Sequence, residues 1–298
     1  NYRTTNNTSS VGFLSDRDGV LESERNDAVN TRSQLNVESL LTYKTDIGKH
    51  GINALAGFSY DNYNYTFRSI EVQGVFGDEF TSNISLAEAS GSEVFTLLGQ
   101  EKLASYFGRM IYDYDDKYLF SVSARTDGST RFGADNRYGF FPTASLGWNI
   151  SNEAFLIDSD FLSNLKLRLS YGISGSNDID SDVFQSLYRS QDLGTTVTYG
   201  DFSGRKVTNL GDDNLGWEQL KELNFGVDFG FLNGLIKGSV DLYEKTSEDL
   251  ILDLQVPSVI GANTQLTNIG QVQNRGFELE LNSRLISNEN FSWNISGQ

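Results

Sequence analysis

The stretch Tyr118-Leu119-Phe120-Ser121-Val122-Ser123-Ala124-Arg125-Thr126-Asp127, with Thr143-Ala144-Ser145-Leu146-Gly147-Trp148-Asn149-Ile150 after it, decides the fold class. Successive side chains of a pleated strand point to opposite faces. Tyr118, Phe120, Val122 and Ala124 therefore share one face, and Ser121, Ser123, Arg125 and Asp127 the other. Ala144, Leu146, Trp148 and Ile150 repeat the pattern against Thr143, Ser145 and Asn149. One face is apolar and aromatic; the other is polar and charged.

The same alternation spreads outward in both directions. Upstream, Leu35, Val37, Leu41 and Tyr43 lead through a turn at 46–49 to Ile52, Ala54, Ala56, Phe58 and Tyr60, although Leu40 and Leu55 fall on the wrong face. Residues 1–32 are polar and read as a strand end followed by a loop. Downstream come Leu165, Leu167, Leu169 and Tyr171, then Leu223, Phe225, Val227, Phe229 and Phe231. Asn233-Gly234 is the strongest hairpin signal, since both residues tolerate positive φ. Ile236, Val240 and Leu242 follow, then Phe277, Leu279 and Leu281, and last Phe291, Trp293 and Ile295.

Connections alternate in length. Short ones fall near 46, 116, 233 and 288, joined in order by the connector 151–156, which is expected to form a helical turn with Glu153 near its start. Long ones span 62–101, 174–216 and 253–275. An up-and-down antiparallel sheet with turns at one end and elaborated loops at the other has this layout, as in membrane barrels. Many strands reach ten residues or more, against about 5–6 in soluble sheets, and long unpaired edges invite aggregation. The expected fold is all-β: an antiparallel transmembrane β-barrel, incomplete, with about 10–12 strands of a larger one. Tyr43, Tyr112, Tyr118, Trp148, Phe231 and Trp293 all lie beside short connections, as an interfacial aromatic girdle would; frequent aromatics in strands would give the same impression. A soluble all-β ligand-binding module, with the apolar face inside, is the alternative.

Composition limits the function classes. The 298 residues carry a net charge of −17, which argues against nucleic acid because phosphate binding needs a basic face. With no cysteine, neither a disulfide nor a thiolate metal site can form. No apolar run approaches the roughly 20 residues of a membrane helix, but a membrane strand needs only about 9–11. The chain opens at Asn1-Tyr2-Arg3-Thr4 in strand-like sequence without a secretory signal, and is expected to be a piece of something longer.

Several ordered segments carry a family resemblance. Arg125-Thr126-Asp127-Gly128-Ser129-Thr130-Arg131-Phe132-Gly133, then Asn136-Arg137-Tyr138-Gly139-Phe140-Phe141-Pro142, closely resembles a signature of the SusC/RagA-like TonB-dependent outer-membrane transporters. Asn164–Gly172, Leu215-Gly216-Trp217-Glu218, Asn224–Gly230 and Asn268–Glu278 resemble its later parts, so the match covers most of 100–298. The resemblance implies a 22-stranded barrel with an N-terminal plug. It implies import of glycan or peptide captured by a SusD-like surface lipoprotein, driven through TonB. Residues 1–298 would be part of the barrel wall in a Gram-negative outer membrane, touching lipid, with the plug and the closing C-terminal strand absent. A barrel segment of this kind is not an enzyme.

The candidate chemistry is weighed residue by residue. A polar lumen would be lined by Arg109, Ser123, Arg125, Ser145, Arg168, Asn224, Asp228, Lys237, Asp241, Glu278 and Glu280. In the signature loop, Arg125, Asp127, Gly128, Arg131, Phe132, Gly133, Arg137, Tyr138 and Gly139 would either contact ligand or brace strands through bidentate bonds. Bracing is favoured, because a signature shared across ligands is architectural, an inference that belongs to the resemblance. His50 is the only histidine and reads as a turn residue. Asp178, Asp180 and Asp182 have alternate spacing but lack the glycine and distal glutamate of a calcium loop, so no cofactor is expected beyond loop-bound calcium as a weak possibility. Asp113, Asp115 and Asp116 read as turn chemistry. Glu278 and Glu280 share a strand face without any sugar-binding context.

Overall fold

The computed structural model describes residues 2–15, 21–73, 91–157, 159–189, 191–192, 195–196, 198–199, 202–287 and 291–298. Eleven strands pair in chain order, each antiparallel to the next where a register is given. They are β1 (Tyr2–Ser15), β2 (Leu21–Ile47), β3 (His50–Gln73), β4 (Gly91–Tyr114), β5 (Tyr118–Ser129) and β6 (Tyr138–Asn149). After them come β7 (Leu162–Ser176), β8 (Glu218–Phe231), β9 (Ile236–Glu248), β10 (Gln271–Ser287) and β11 (Ser292–Gly297). This is the up-and-down arrangement the alternation predicts.

The chain forms two units. The first, residues 1–37 and 60–103, holds the hairpin of β1 with β2 and the distal lengths of β3 and β4. Here two expectations change. Residues 2–15 and 21–32 form a paired hairpin rather than a strand end and a loop, with Asn30 opposite Thr5. Within the segment expected as a long loop, 62–73 and 91–101 are strand too, since β3 runs to Gln73 and β4 begins at Gly91. Polar strands such as these satisfy their backbone by pairing, which does not require an apolar face. Within the unit Asn36 donates to Asp61 at 2.7 Å and Gln100 to Asn64 at 2.7 Å.

The second unit, residues 38–59 and 104–298, carries the rows that matter for function. Direct cross-strand pairing aligns Tyr118, Trp148, Leu167, Val227, Val240 and Leu279 across six strands. The next row is Phe120, Leu146, Leu169, Phe225, Leu242 and Phe277. Eight of these twelve side chains are exposed, Leu242 at 51% and Phe277 at 72%, and Phe120, Leu167, Val227 and Val240 are half-buried. The surface of 20,200 Å² is well above the roughly 12,500 Å² expected for a folded soluble monomer of this mass. Among the described residues no core covers the apolar rows.

The short turns near 46, 116 and 233 sit where the sequence places them, and the turn expected near 288 lies outside the described residues. Gly48, Asp115, Asp116, Asn233 and Gly234 all have positive φ. The connector after β6 holds a 3-10 turn, Ile150–Asn152, and then the expected helical turn, which opens at Glu153: its carbonyl accepts from the Leu156 and Ile157 amides at 2.9 and 3.0 Å. The long loops hold structure of their own. Ile251–Gln255 pairs with Thr264–Asn268 as a hairpin inside the third loop, and β10 starts at Gln271, earlier than expected. Leu187–Arg189 pairs with Lys206–Asn209 in the second.

Among the described residues, the buried apolar core is confined to Phe132, Phe141, Leu215 and Trp217. The Phe132 and Phe141 rings lie 5.2 and 5.4 Å from that of Trp217. A Cβ on Gly139 or Gly175 would strike the Phe141 ring at 2.3 or 2.0 Å, so glycine at both positions makes room for it. The loop after β5 and the loop before β8 are thus joined to β6 through one aromatic cluster. Trp217→Ala removes its packing and its indole hydrogen bond, and should destabilise the cluster by about 3–5 kcal/mol. Faster proteolytic cleavage between 177 and 217 with strand pairing intact is the expected reading; unchanged cleavage contradicts it.

Candidate functional site

The registers decide which predicted residues share a face. Ser123, Arg125, Ser145, Arg168, Asn224, Asp228, Lys237, Asp241, Glu278 and Glu280 all fall on the face opposite the apolar rows. Arg168 pairs with Gly226, which pairs with Asp241, which pairs with Glu278. Asp228, Ser239 and Glu280 form the neighbouring row. Ser145 is opposite Ser170, and Ser170 opposite Asn224. Arg109 joins them by period, since Ser105 and Phe107 on the same strand both meet Arg125.

Arg168 is the hub of this face. Its Nε and Nη2 donate to the two carboxylate oxygens of Asp228, each at 2.8 Å, and Nη2 also reaches Asp241 at 3.2 Å. The planar guanidinium matches a carboxylate in this two-pronged way, which a lysine cannot do. Gly226 lies beneath it: a Cβ there would come within 2.6 Å of the Arg168 Cζ. One strand therefore leaves a gap so that its two neighbours can be bridged across it.

The signature loop is built by a second set of contacts. Arg125 Nε donates to Asp127 at 2.7 and 2.8 Å, its Nη2 to Ser105 at 2.9 Å, and its Cζ lies 5.3 Å from the Phe107 ring centroid. Asp127 and Ser105 are buried. Arg131 donates to the Asn177 carbonyl at 3.0 Å, and Asn177 in turn donates to Ser129. The Arg137 carbonyl accepts from the Ser129 amide and from the Trp217 indole. Phe132 is in the aromatic cluster, Gly133 lies close to Asp213 and Phe184, Gly128 abuts the Tyr138 ring and Gly139 that of Phe141. Tyr138 itself is 63% exposed.

Other candidates stay apart. His50 meets the Tyr112 hydroxyl through Nδ1 at 2.8 Å. Asp115 pairs with Lys49 and Lys117, and the Asp116 carbonyl accepts from Asn149 and Asn152. Asp182 accepts from Gln185, and no group of three metal-ligating side chains forms among the described residues.

Three contributors escape a reading of periodicity. Leu40, on the wrong face by pattern, lies with Phe107 over Gly57, where a Cβ would meet them at 2.8 and 2.5 Å. Asn268 ties two loops together by bonding the amide and carbonyl of Gly216 and the carbonyl of Asp249. Glu153 accepts from the Tyr118 hydroxyl at 2.7 Å and the Trp148 indole at 3.1 Å. Those bonds, the Tyr118 hydroxyl first, hold its carboxyl below the usual range.

A family model described as TonB dependent receptor-like, beta-barrel matches residues 1–298. TonB-dependent receptor P3 of Formosa agariphila is 33% identical over 274 residues, covering 90% of this chain and 26% of that protein. TonB-dependent receptor SusC of Bacteroides thetaiotaomicron is 41% identical over 197 residues, covering 65% of this chain and 20% of that one. In the solved structure of the RagAB peptide transporter one chain superposes with a TM-score of 0.82 at 26% identity, covering 99% of this chain and 32% of its own. The chain thus spans about a quarter of the length of the curated relatives it matches.

Two outcomes check these geometries. Gly226→Ala forces the Arg168 guanidinium off its fork, and because that side chain is partly solvated the loss should be about 1–2 kcal/mol in denaturant unfolding; an unchanged midpoint contradicts the hub. A carboxyl with a lowered pKa contributes stability above its unfolded value and loses it as pH falls through the folded one. Acidification below the usual carboxylate range should therefore shift Trp148 emission, and Glu153→Gln should abolish that pH dependence. A shift that survives in the variant contradicts the assignment.

Proposed function

The chain belongs to the TonB-dependent receptor-like β-barrel family, a family of receptors and transporters rather than enzymes, and on that premise we propose that it forms wall strands of an outer-membrane active transporter for large nutrients. The apolar rows face hydrocarbon. The Arg168 face lines the passage, and the named polar residues from Arg109 to Glu280 are its lining. The nutrient is a glycan or a peptide handed over by a SusD-like surface lipoprotein. Similarity to SusC and to the RagAB peptide transporter supports this partnership. The plug, the segment that meets TonB and the strand that closes the barrel belong to the length of the relatives outside these 298 residues.

The observation that carries the reading is the unbroken alternation of two faces across six registered strands. The apolar side runs from the Phe231–Ile236 pair to the Tyr171–Leu223 pair, four two-residue steps, or about 27 Å of strand. At the usual tilt of 35–45° this is about 20 Å along the membrane normal, near the height of a barrel's apolar band. Above it the same face turns polar at Glu244 and Arg275, which bond at 2.9 Å. Signature-loop arginines that bond to strand and loop neighbours favour architecture over ligand contact, so ligand choice falls to the long loops. A soluble module would need its apolar rows covered, and they stand open.

A pair of substitutions on one strand tests the assignment. Leu242→Arg, in the middle of the apolar face, should destabilise the full-length protein in a bilayer by about 2–4 kcal/mol. Ser239→Arg, on the opposite face, should change little. Equal effects in equilibrium refolding into lipid vesicles would contradict the proposal.

A further inference from the structure

The two rings nearest the short-turn edge of the apolar face are held in a fixed position. Tyr118 and Trp148 lie 6.3 Å apart with planes 16° from parallel, and one oxygen of Glu153 accepts from both. Pinned in this way, they form one wall of an open apolar groove of about 360 Å³ whose other sides are Leu146, Leu167, Leu169 and Phe225. Rings free to rotate would fill that space; rings tied to a carboxylate leave it vacant for a flexible chain. A cleft lined by apolar side chains with polar groups gathered at one rim has the layout of an amphiphile site.

The rim has a distinctive charge pattern. Lys49 reaches Asp115 at 2.8 Å, Lys117 reaches the same carboxylate at 3.2 Å, and Lys117 approaches Glu153 at 3.8 Å. Lys49 is 61% exposed and Asp116, at the tip of the adjoining turn, is exposed as well. Three carboxylates thus accompany two ammonium groups. A headgroup with a net negative charge meets repulsion here, whereas one that carries both a phosphate and an ammonium finds a partner for each.

We propose that this groove is a binding site for one acyl chain of a zwitterionic, amine-headed phospholipid, with the phosphate at Lys49 and the ammonium at Asp116. The site rests on the membrane reading given above and adds to it a stoichiometric lipid of defined headgroup in the leaflet beside the short turns. Bulk lipid needs only an apolar surface. This position adds a recess, a fixed aromatic wall and a two-sign rim, and it places the lipid against the strand that carries Arg168 on its other face.

The test uses the full-length protein in nanodiscs made of phosphatidylethanolamine and phosphatidylglycerol with the same acyl chains, and native mass spectrometry to count the lipid it retains. Phosphatidylethanolamine should be retained in preference to phosphatidylglycerol. Leu169→Trp, which fills the groove, should lower that retention about tenfold, the change expected when about two methylenes lose their burial. Asp116→Lys, which leaves the groove untouched, should shift the preference to phosphatidylglycerol. Equal retention of the two lipids, or retention that Leu169→Trp leaves unchanged, would overturn the site while the membrane reading stands. Failure of the wild-type protein to enter the disc would overturn that reading, and the site with it.

Discussion

Backbone pairing under strict alternation is the constraint on which the rest of this structure depends. A strand in hydrocarbon must bond every amide and carbonyl to its neighbours, because no water replaces a missing partner. A slip of one residue in any pair would turn a whole strand inside out. The registers of β5 to β10 hold without a slip through the two apolar rows, so Phe120 and Phe277 end on the same side five strands apart. Everything assigned to either face follows from that continuity.

Side chains on the polar face reinforce the same alignment. Arg168 bridges Asp228 on the next strand and Asp241 on the one beyond, over the gap left by Gly226. Such a fork fits one register and no other, so it adds geometric selection to the apolar pattern. At the loop end the selection passes to packing. Trp217 gathers Phe132 and Phe141, and hydrogen bonds from Asn177 and Asn268 tie the loops to one another. The apolar rows of the wall need no core of their own, whereas the loops do, and among the described residues they hold all the buried apolar side chains except Phe141 of β6.

Sequence reading captures the wall because period two is a local signal. Leu167, Phe225 and Leu279 announce their face by their neighbours alone, and Asn233-Gly234 announces its turn. The polar hairpin of β1 with β2 is not visible in this way, since pairing between strands without an apolar face leaves no period in hydropathy. Leu40 breaks the pattern because its partner Phe107 lies far away in sequence, on another strand. Trp217 lies in a segment that resembles the family signature, yet its place in a buried cluster depends on two loops meeting at β6. Glu153 opens a helical turn, as an acid at a first turn suggests; its second role, accepting from two aromatic donors, depends on groups that only the folded chain brings near.

Because these 298 residues hold no cysteine, labels can be placed in the wall one at a time once any cysteine outside them is replaced by serine. Single cysteines placed in turn at Asn224, Phe225, Gly226, Val227, Asp228 and Phe229, spin-labelled in the full-length protein in bilayers, report contact with oxygen from lipid and with a nickel chelate from water. The account predicts oxygen contact at Phe225, Val227 and Phe229, and nickel contact at Asn224, Gly226 and Asp228, alternating residue by residue. The reverse phase, or no alternation at all, would contradict it.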